Sequence, residues 1–297
     1  NQSTLLIFSY RGKKNRANNI HKKIMAIYDC FQYFNEDHML DLRFNILNEN
    51  VDYFVISEST KTHQGDDKKL NFNINSFPKY KNKIIYVVAD FKKEKGFEQH
   101  KGGESIIEQH QRNNISNGLS KANDNDLIIL SDSDEIPDLT KLDQMKSKTK
   151  FAAFSQMMFM YKLNLQNTNE TNWIGSRMCL KKYFPLPQKL RNMKFKEYPF
   201  WRLDKPKTQV IKGGWHFSFL QSSSDIIKKI KSFSHGEFNT EEITNEKNIE
   251  DKILNGRDIF NRGFELKKIP IDSNYPKYIQ QNQDKLLDWI ISVSYTH

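Results

Sequence analysis

The sequence predicts an α/β protein built on a mostly parallel, doubly wound sheet with helices on both faces. Three observations predict it. Strand-like and helix-like segments alternate through the first half of the chain. Continuous apolar runs such as Leu127-Ile128-Ile129-Leu130 read as strands buried on both faces. Successive strands also end near an acid (Glu36, Glu58, Asp90, Asp132), as a ligand crevice along the carboxyl edge of such a sheet would require.

The elements follow in order. Ile24 to Phe34 reads as a strand, with Ile24, Ala26, Tyr28 and Cys30 in alternation. Asn35-Glu36-Asp37 then caps a helix in which Leu40, Phe44 and Leu47 fall at helical spacing, with Ile46 beside them. Val51 to Ser57 is the next strand, ending at Glu58, and Ile84 to Ala89 is the third. Gly102-Gly103 breaks the chain before a helix carrying Ile106, Ile107, Ile115 and Leu119. Asp124-Asn125-Asp126 turns into the strand at Leu127. Phe151 to Leu163 is a buried strand whose Met157, Met158 and Met160 serve the core rather than a ligand. Pro185, Pro187, Pro199 and Pro206 mark a loop-rich stretch, followed by Gly213-Gly214-Trp215-His216-Phe217-Ser218. Ile226 to Phe233 has a helical period, and Glu241 to Glu250 is polar and exposed. With no internal repeat and no clean linker, residues 26–297 form a single domain with a C-terminal elaboration. Residues 1–25 are an N-terminal extension whose Thr4–Tyr10 run could add a strand.

Composition narrows the classes. Of 297 residues, 37% are hydrophobic and 12% aromatic, which supports a substantial core and argues against disorder. A net charge of +10 and a pI near 9.3 call for an anionic partner. The lysines are scattered, as at Lys92-Lys93-Glu94-Lys95 and Lys228-Lys229, and read as solvated surface. Without an arginine-rich block, a helix-turn-helix or an RNA-recognition signature, no nucleic-acid partner is expected; a nucleotide diphosphate fits better. Cys30 and Cys179 exclude a disulfide framework and a cysteine-rich zinc site; both are expected as free buried thiols. No apolar run has transmembrane length, so no integral membrane segment is expected. The low cysteine count and the absence of a visible signal peptide predict a cytoplasmic enzyme of microbial or viral origin rather than a Golgi-lumen one. The Asn114-Ile115-Ser116 sequon is then expected to carry no glycan.

The most informative stretch is Leu127 to Pro137, where a buried strand stops in a cluster of carboxylates closed by proline. Asp132 and Asp134 are two apart, so in extended backbone both side chains leave on one side. Two convergent carboxylates make a hard-oxygen site suited to Mn²⁺ or Mg²⁺, with phosphate on the open positions. The same residues also read as a helix start, with Asp134 as cap and Pro137 in the first turn.

Several motifs in order extend this reading. They are Phe34-Asn35-Glu36 with Leu40-Asp41-Leu42-Arg43-Phe44, and Val51 to Ser59 ending in Glu58-Ser59. Thr62, Gly65, Leu70 and Phe72 follow, then Asp126 to Pro137 with its Asp-x-Asp-Glu-Ile-Pro run, and Gly214-Trp215-His216-Phe217-Ser218. Together they resemble glycosyltransferase family 17, the family of β-1,4-mannosyl-glycoprotein 4-β-N-acetylglucosaminyltransferase, over roughly residues 26 to 290. The resemblance implies a GT-A-like fold and an inverting transfer of a sugar, most naturally N-acetylglucosamine, from a UDP-sugar to a glycan acceptor. It implies a divalent metal, Mn²⁺ or Mg²⁺. The alternative is a metal-dependent nucleotidyltransferase or phosphohydrolase using the same carboxylate pair.

Candidate roles follow, each with a plainer reading beside it. Asp132 and Asp134 anchor the metal and diphosphate, and His216 completes the ligand set or is a core histidine. Glu135 orients the metal shell from behind or sits in a first helical turn. Glu58 receives the uracil or ribose, or merely ends a strand; Arg112 and Asn113 reach the diphosphate, or Arg112 is a surface arginine. Gly213-Gly214 lets backbone approach a phosphate or forms a turn, and Trp215 stacks on a sugar or packs in the core. Glu237 leads the candidates for the general base on the acceptor hydroxyl, with Asp204 and Glu197 as alternatives.

Overall fold

The computed structural model describes residues 26–92, 100–101, 104–195, 202, 207–232 and 240–291. Strand β1 (Ile27–Tyr33) runs between β2 (Tyr53–Ser59) and β6 (Leu127–Ser131), and β3 (Ile84–Ala89) lies outside β2. All three pairings are parallel, with Cys30 level with Val55 and Leu130. The strands are bounded within a few residues of their expected positions. Between β3 and β6 come a two-strand ribbon, β4 (His100–Lys101) and β5 (Glu104–Ser105), and helix α2 (Ile106–Gly118). Gly102 and Gly103 lie outside the described residues.

Beyond β6 the sheet becomes mixed. β10 (Asn172–Leu180) inserts antiparallel between β6 and β8 (Phe151–Met160), and β9 (Leu165–Asn167) and β12 (Leu266–Lys268) extend the far side. β11 (Thr208–Ser218) runs parallel to β8, and the two-residue β7 (Glu135–Ile136) pairs antiparallel with β11. The two long strands β10 and β11 flank the loop-rich stretch marked by Pro185 to Pro206.

The parallel half is covered on both faces because its residues are apolar on both. Phe31, Phe54 and Ile129 face one side, where α1 (Asp37–Leu47) lays down Leu40, Phe44 and Leu47. Tyr28, Cys30, Val55 and Leu130 face the other, under Ile115 of α2 and the adjoining Leu119. A Cβ at Gly118 would collide with Val55 and Val87, so glycine lets α2 end flush against the sheet. α1 begins where expected, but its N-cap residue Glu36 makes no capping bond. Glu36 Oε2 instead accepts from the Phe34 and Asn35 amides, both at 3.1 Å.

A separate core supports the C-terminal part. Ile226 and Ile230 of α4 (Ser223–Ser232) and Ile249 and Ile253 of α5 (Glu246–Leu254) pack with Met158 and Met160 of β8. Cys30 and Cys179 are buried free thiols. They lie on the two strands flanking β6, Cys30 level with Leu130 and Cys179 with Ile128, so at least about two strand spacings or 10 Å separate them, which is too far for a disulfide. Among the described residues no helix is long and apolar enough to cross a membrane.

Candidate active site

The carboxyl ends of β1 and β6 open onto a cavity of about 220 Å³. Its walls include Tyr33 and Phe34 from the end of β1, Arg112 and Gln111 from α2, Asp132 to Asp134 after β6, and His216 from β11. Of the acids near strand ends, Glu36 and Asp132 reach it. Glu58 does not: it is fully buried and accepts from the Asn71 and Phe72 amides, Tyr86 Oη and Lys68 Nζ. Its carboxylate holds the loop after β2 in place rather than meeting a ligand. Asp90 is exposed, where it accepts from the Thr60 hydroxyl.

The Asp132-Ser133-Asp134 segment is neither extended nor the start of a helix. It is a turn closed by a 3.1 Å bond from Glu135 N–H to the Asp132 carbonyl. The chain then enters β7, and the short helical turn that follows is capped by Asp138, not by Asp134. The turn is built from below by Arg43, which is fully buried on α1. Its Nε and Nη2 bind both oxygens of the equally buried Asp29 at 2.7 and 2.6 Å. Its Nη1 reaches the carbonyls of Asp132, Ser133 and Glu135 at 3.3, 3.2 and 2.6 Å. Three carbonyls converging on one point need a cation, and Arg43 supplies it.

β11 fixes the other wall. Gly213 and Gly214 have φ of +154° and +105° and form an irregularity in the pairing with β8. A Cβ on Gly214 would lie 2.5 Å from the Ile136 carbonyl, so the close backbone approach here is to β7 and not to a ligand. The irregularity sets the facing of the next two residues. Trp215 is 7% exposed, packs in the main core and donates Nε1–H to the Asn274 carbonyl. It is a core residue, not a sugar platform. His216 faces the cavity, its Nε2 3.5 Å from Asp134 Oδ1.

Electrostatics separate the two aspartates. Burial raises the Asp132 carboxyl, but the guanidiniums of Arg191 and Arg112 outweigh it and hold the group well below the usual carboxylate range. Arg191, the last residue of α3 (Pro187–Arg191), is 2.6 Å from Asp132 Oδ2, and Arg112 is 3.4 Å from Oδ1. Burial also raises Asp134, and the charge and hydrogen bond of His216 together with the Lys229 ammonium outweigh it and lower the group. Burial lowers His216, and the Asp134 carboxylate reverses this and raises it. Nδ1 of His216 is buried and has no hydrogen-bond partner among the described residues.

Glu135 is fully buried and lies in β7, which removes the helical-turn reading. It binds Arg191 Nη1 at 2.8 and 2.9 Å and Trp173 Nε1 at 2.7 Å, so it positions the arginine that holds Asp132. Asn113 Oδ1 accepts from the Gln188 amide and does not line the cavity. Glu237, Glu197 and Asp204 lie outside the described residues. Asn114 sits on α2 with Nδ2 donating to the Val88 carbonyl at 2.9 Å. The sequence reading missed Arg191, Trp173 and Lys229. Their only signal was charge or aromaticity in segments without a motif.

A divalent ion fits part of this set. Two donors bound to one such ion at about 2.1 Å sit roughly 3 Å apart, close to the Asp134–His216 spacing of 3.5 Å. Asp132 has both oxygens on guanidiniums, and among the described residues no three His, Cys, Asp or Glu side chains converge as a ready metal cage. A Mg²⁺-type ion needs only one or two protein ligands when phosphate oxygens and water supply the rest.

Acids, a histidine and cations thus line an open cavity at the carboxyl edge of parallel strands, where open α/β sheets bind their ligands. The chain belongs to glycosyltransferase family 17, whose family model matches residues 11–265. The match starts inside the segment set apart as an N-terminal extension and stops short of residue 290. No curated protein matches the chain. Among solved structures it is similar to HddC from Yersinia pseudotuberculosis, at 10% identity and a TM-score of 0.33, over 64% of this chain and 92% of that one. The same protein complexed with GMP-PN aligns at 10% identity and 0.33, over 66% and 95%. Likeness at that level carries no functional weight.

Proposed function

We propose that this family 17 glycosyltransferase is inverting and metal-dependent, and that it transfers N-acetylglucosamine from its UDP-sugar to a glycan. The observation that carries this reading is the Asp132–Asp134 turn facing His216 across a cavity open at the carboxyl edge of the sheet. Asp134 and His216 would hold Mn²⁺ or Mg²⁺. When bound, the ion offsets negative charge on the departing diphosphate. Asp132 works through its arginines, keeping Arg112 and Arg191 turned toward the phosphate region. Phe34 and Tyr33, from the end of β1, form the wall on which the nucleoside end would rest.

Turnover of UDP-N-acetylglucosamine should require Mn²⁺ or Mg²⁺ and should exceed that of any nucleoside triphosphate. UDP should raise Tm with Mn²⁺ and leave it unchanged with EDTA. Without the ion, a diphosphate faces carboxylates of like charge. At about a hundredfold excess over Kd the stabilisation should approach about 2.7 kcal/mol. Equal shifts with and without the metal would refute this, and a preference for triphosphates would favour the nucleotidyltransferase alternative.

Glu237 is the proposed base for the acceptor hydroxyl. It lies five residues beyond the end of α4, the helix that brings Lys229 to the cavity. Glu237→Gln should keep UDP affinity while transfer falls by roughly 10²–10⁴-fold. Transfer at the wild-type rate would remove it from the mechanism.

A further inference from the structure

Glu108 stands in the first turn of α2, three residues after the N-cap Ser105. At that spacing a glutamate ordinarily reaches back to the N–H of the cap residue. One half of the exchange is made: Glu108 N–H donates to Ser105 Oγ at 3.3 Å. Ser105 itself pairs with His100 in the β4–β5 ribbon, and the Glu108 carboxylate turns to the cavity wall instead.

The two oxygens of that carboxylate differ. Oε1 accepts from Arg112 Nη2 at 2.6 Å, and the same nitrogen lies 3.4 Å from Asp132 Oδ1. Oε2 faces His63 Nδ1 at 3.9 Å, beyond hydrogen-bond reach. The tautomer of His63 also argues against a bond. Gln111 donates from Nε2 to the Tyr33 and Ser57 carbonyls, so its Oε1 accepts and His63 Nε2, 3.4 Å away, carries the proton. Burial outweighs Glu108 and lowers the proton affinity of His63, so the ring is neutral and its Nδ1 is an acceptor. Glu108 Oε2 therefore has no hydrogen-bond donor among the described residues.

Gln32 sets a second acceptor beside it. Its Nε2 donates to the Glu108 carbonyl at 3.0 Å, which only the nitrogen end of the amide can do. Gln32 lines the cavity, and Oε1 is the end of its amide without a partner among the described residues. The pair also stands at the right place along the wall. Gln32 directly precedes Tyr33 and Phe34, where the nucleoside end would rest, and one guanidinium nitrogen joins Glu108 to Asp132 at the phosphate end. In a nucleoside diphosphate the ribose lies between base and phosphates and offers two neighbouring hydroxyls as donors. An acid is the usual acceptor for a ribose hydroxyl in a nucleotide site at a sheet edge.

We infer that Glu108 Oε2 and Gln32 Oε1 accept from the two ribose hydroxyls of the donor nucleotide, so that this pair tells a ribonucleotide from a deoxyribonucleotide. The inference rests on the sugar-nucleotide reading above and assigns two residues that no motif marks.

The test is titration calorimetry in Mn²⁺ on the full chain with three probes: UDP, 2′-deoxy-UDP and 3′-deoxy-UDP. A hydrogen bond to a charged group corresponds to roughly a ten- to hundredfold affinity difference. Wild type should bind at least one of the deoxy probes more weakly than UDP by about that factor. Glu108→Gln keeps an oxygen for Arg112 and replaces the accepting Oε2 with an amide nitrogen. In it that preference should shrink to about threefold or less, and Gln32→Leu should weaken discrimination against the other hydroxyl. Asp134→Ala acts through the proposed ion and should weaken all three probes alike. Equal wild-type affinity for the three probes would overturn the assignment with no variant needed, and would leave the donor reading standing. A preference that survives intact in Glu108→Gln, with UDP and the deoxy probes losing affinity together, would show that Glu108 acts only through Arg112 and would overturn it too. A wild-type protein that binds none of the three would overturn both readings.

Discussion

Asp134→Ala should abolish transfer while leaving the fold intact. Asp134 is the one carboxylate of the turn whose side chain faces His216 rather than a guanidinium. Its structural contribution is made by the backbone: the Asp134 carbonyl accepts from Phe217 N–H at 2.9 Å, and alanine keeps that bond. What alanine removes is the acid half of the proposed ion site. We expect kcat/KM to fall by about 10³-fold or more, on the order of several kcal/mol of transition-state stabilisation. Stability should change by no more than about 1 kcal/mol, because a histidine without its acid loses its proton rather than remaining as a buried charge. Steady-state kinetics beside a thermal melt separate the two quantities. Full turnover at saturating donor would exclude Asp134 from the chemistry.

The second large effect is on stability. Arg43→Met leaves Asp29 as a fully buried carboxylate without its partner and strips three carbonyls of their donor. Removing one member of a buried ion pair costs about 3–5 kcal/mol. For a chain of this size the melting temperature should drop by roughly 10 °C. Asp29→Leu combined with Arg43→Met should recover much of that loss, because the uncompensated charge is gone. Activity should stay low in the double variant, since nothing then gathers the Asp132, Ser133 and Glu135 carbonyls into the turn. A double variant with wild-type turnover would show that the turn holds its shape without Arg43. Melting and turnover measured on all three variants settle both points.

The contrast between Asp134 and Arg43 shows where sequence reasoning reached and where it stopped. Residue order along one strand was legible: the run ending at Leu130, the carboxylates after it and the helix before it are local patterns of hydrophobicity and turn residues. Arg43 stands in an apolar helix between Leu42 and Phe44 and gives no local sign that it reaches a turn some ninety residues away. β10 was not foreseen, because its alternation is interrupted near Gly175 and its antiparallel place between β6 and β8 breaks the simple strand–helix rhythm. Trp215 and Trp173 carry the same chemistry. Only the irregularity at Gly213-Gly214 and the bond from Trp173 to Glu135 decide that one fills the core and the other stands beside His216.

The sequence by itself determined the fold class, the parallel half of the sheet and the carboxylate cluster at its edge, because these rest on periodicities of two and 3.6 residues and on short motifs. Tertiary structure alone decided which of those groups share a cavity. It buried Glu58 against its own loop, tied Asp132 to Arg191 from α3, and turned Lys229 inward while Lys228 stayed in water. The reason is physical. A charge keeps or changes its role according to the opposite charges and amides that long-range packing brings within about 3 Å of it, and no local pattern encodes those partners.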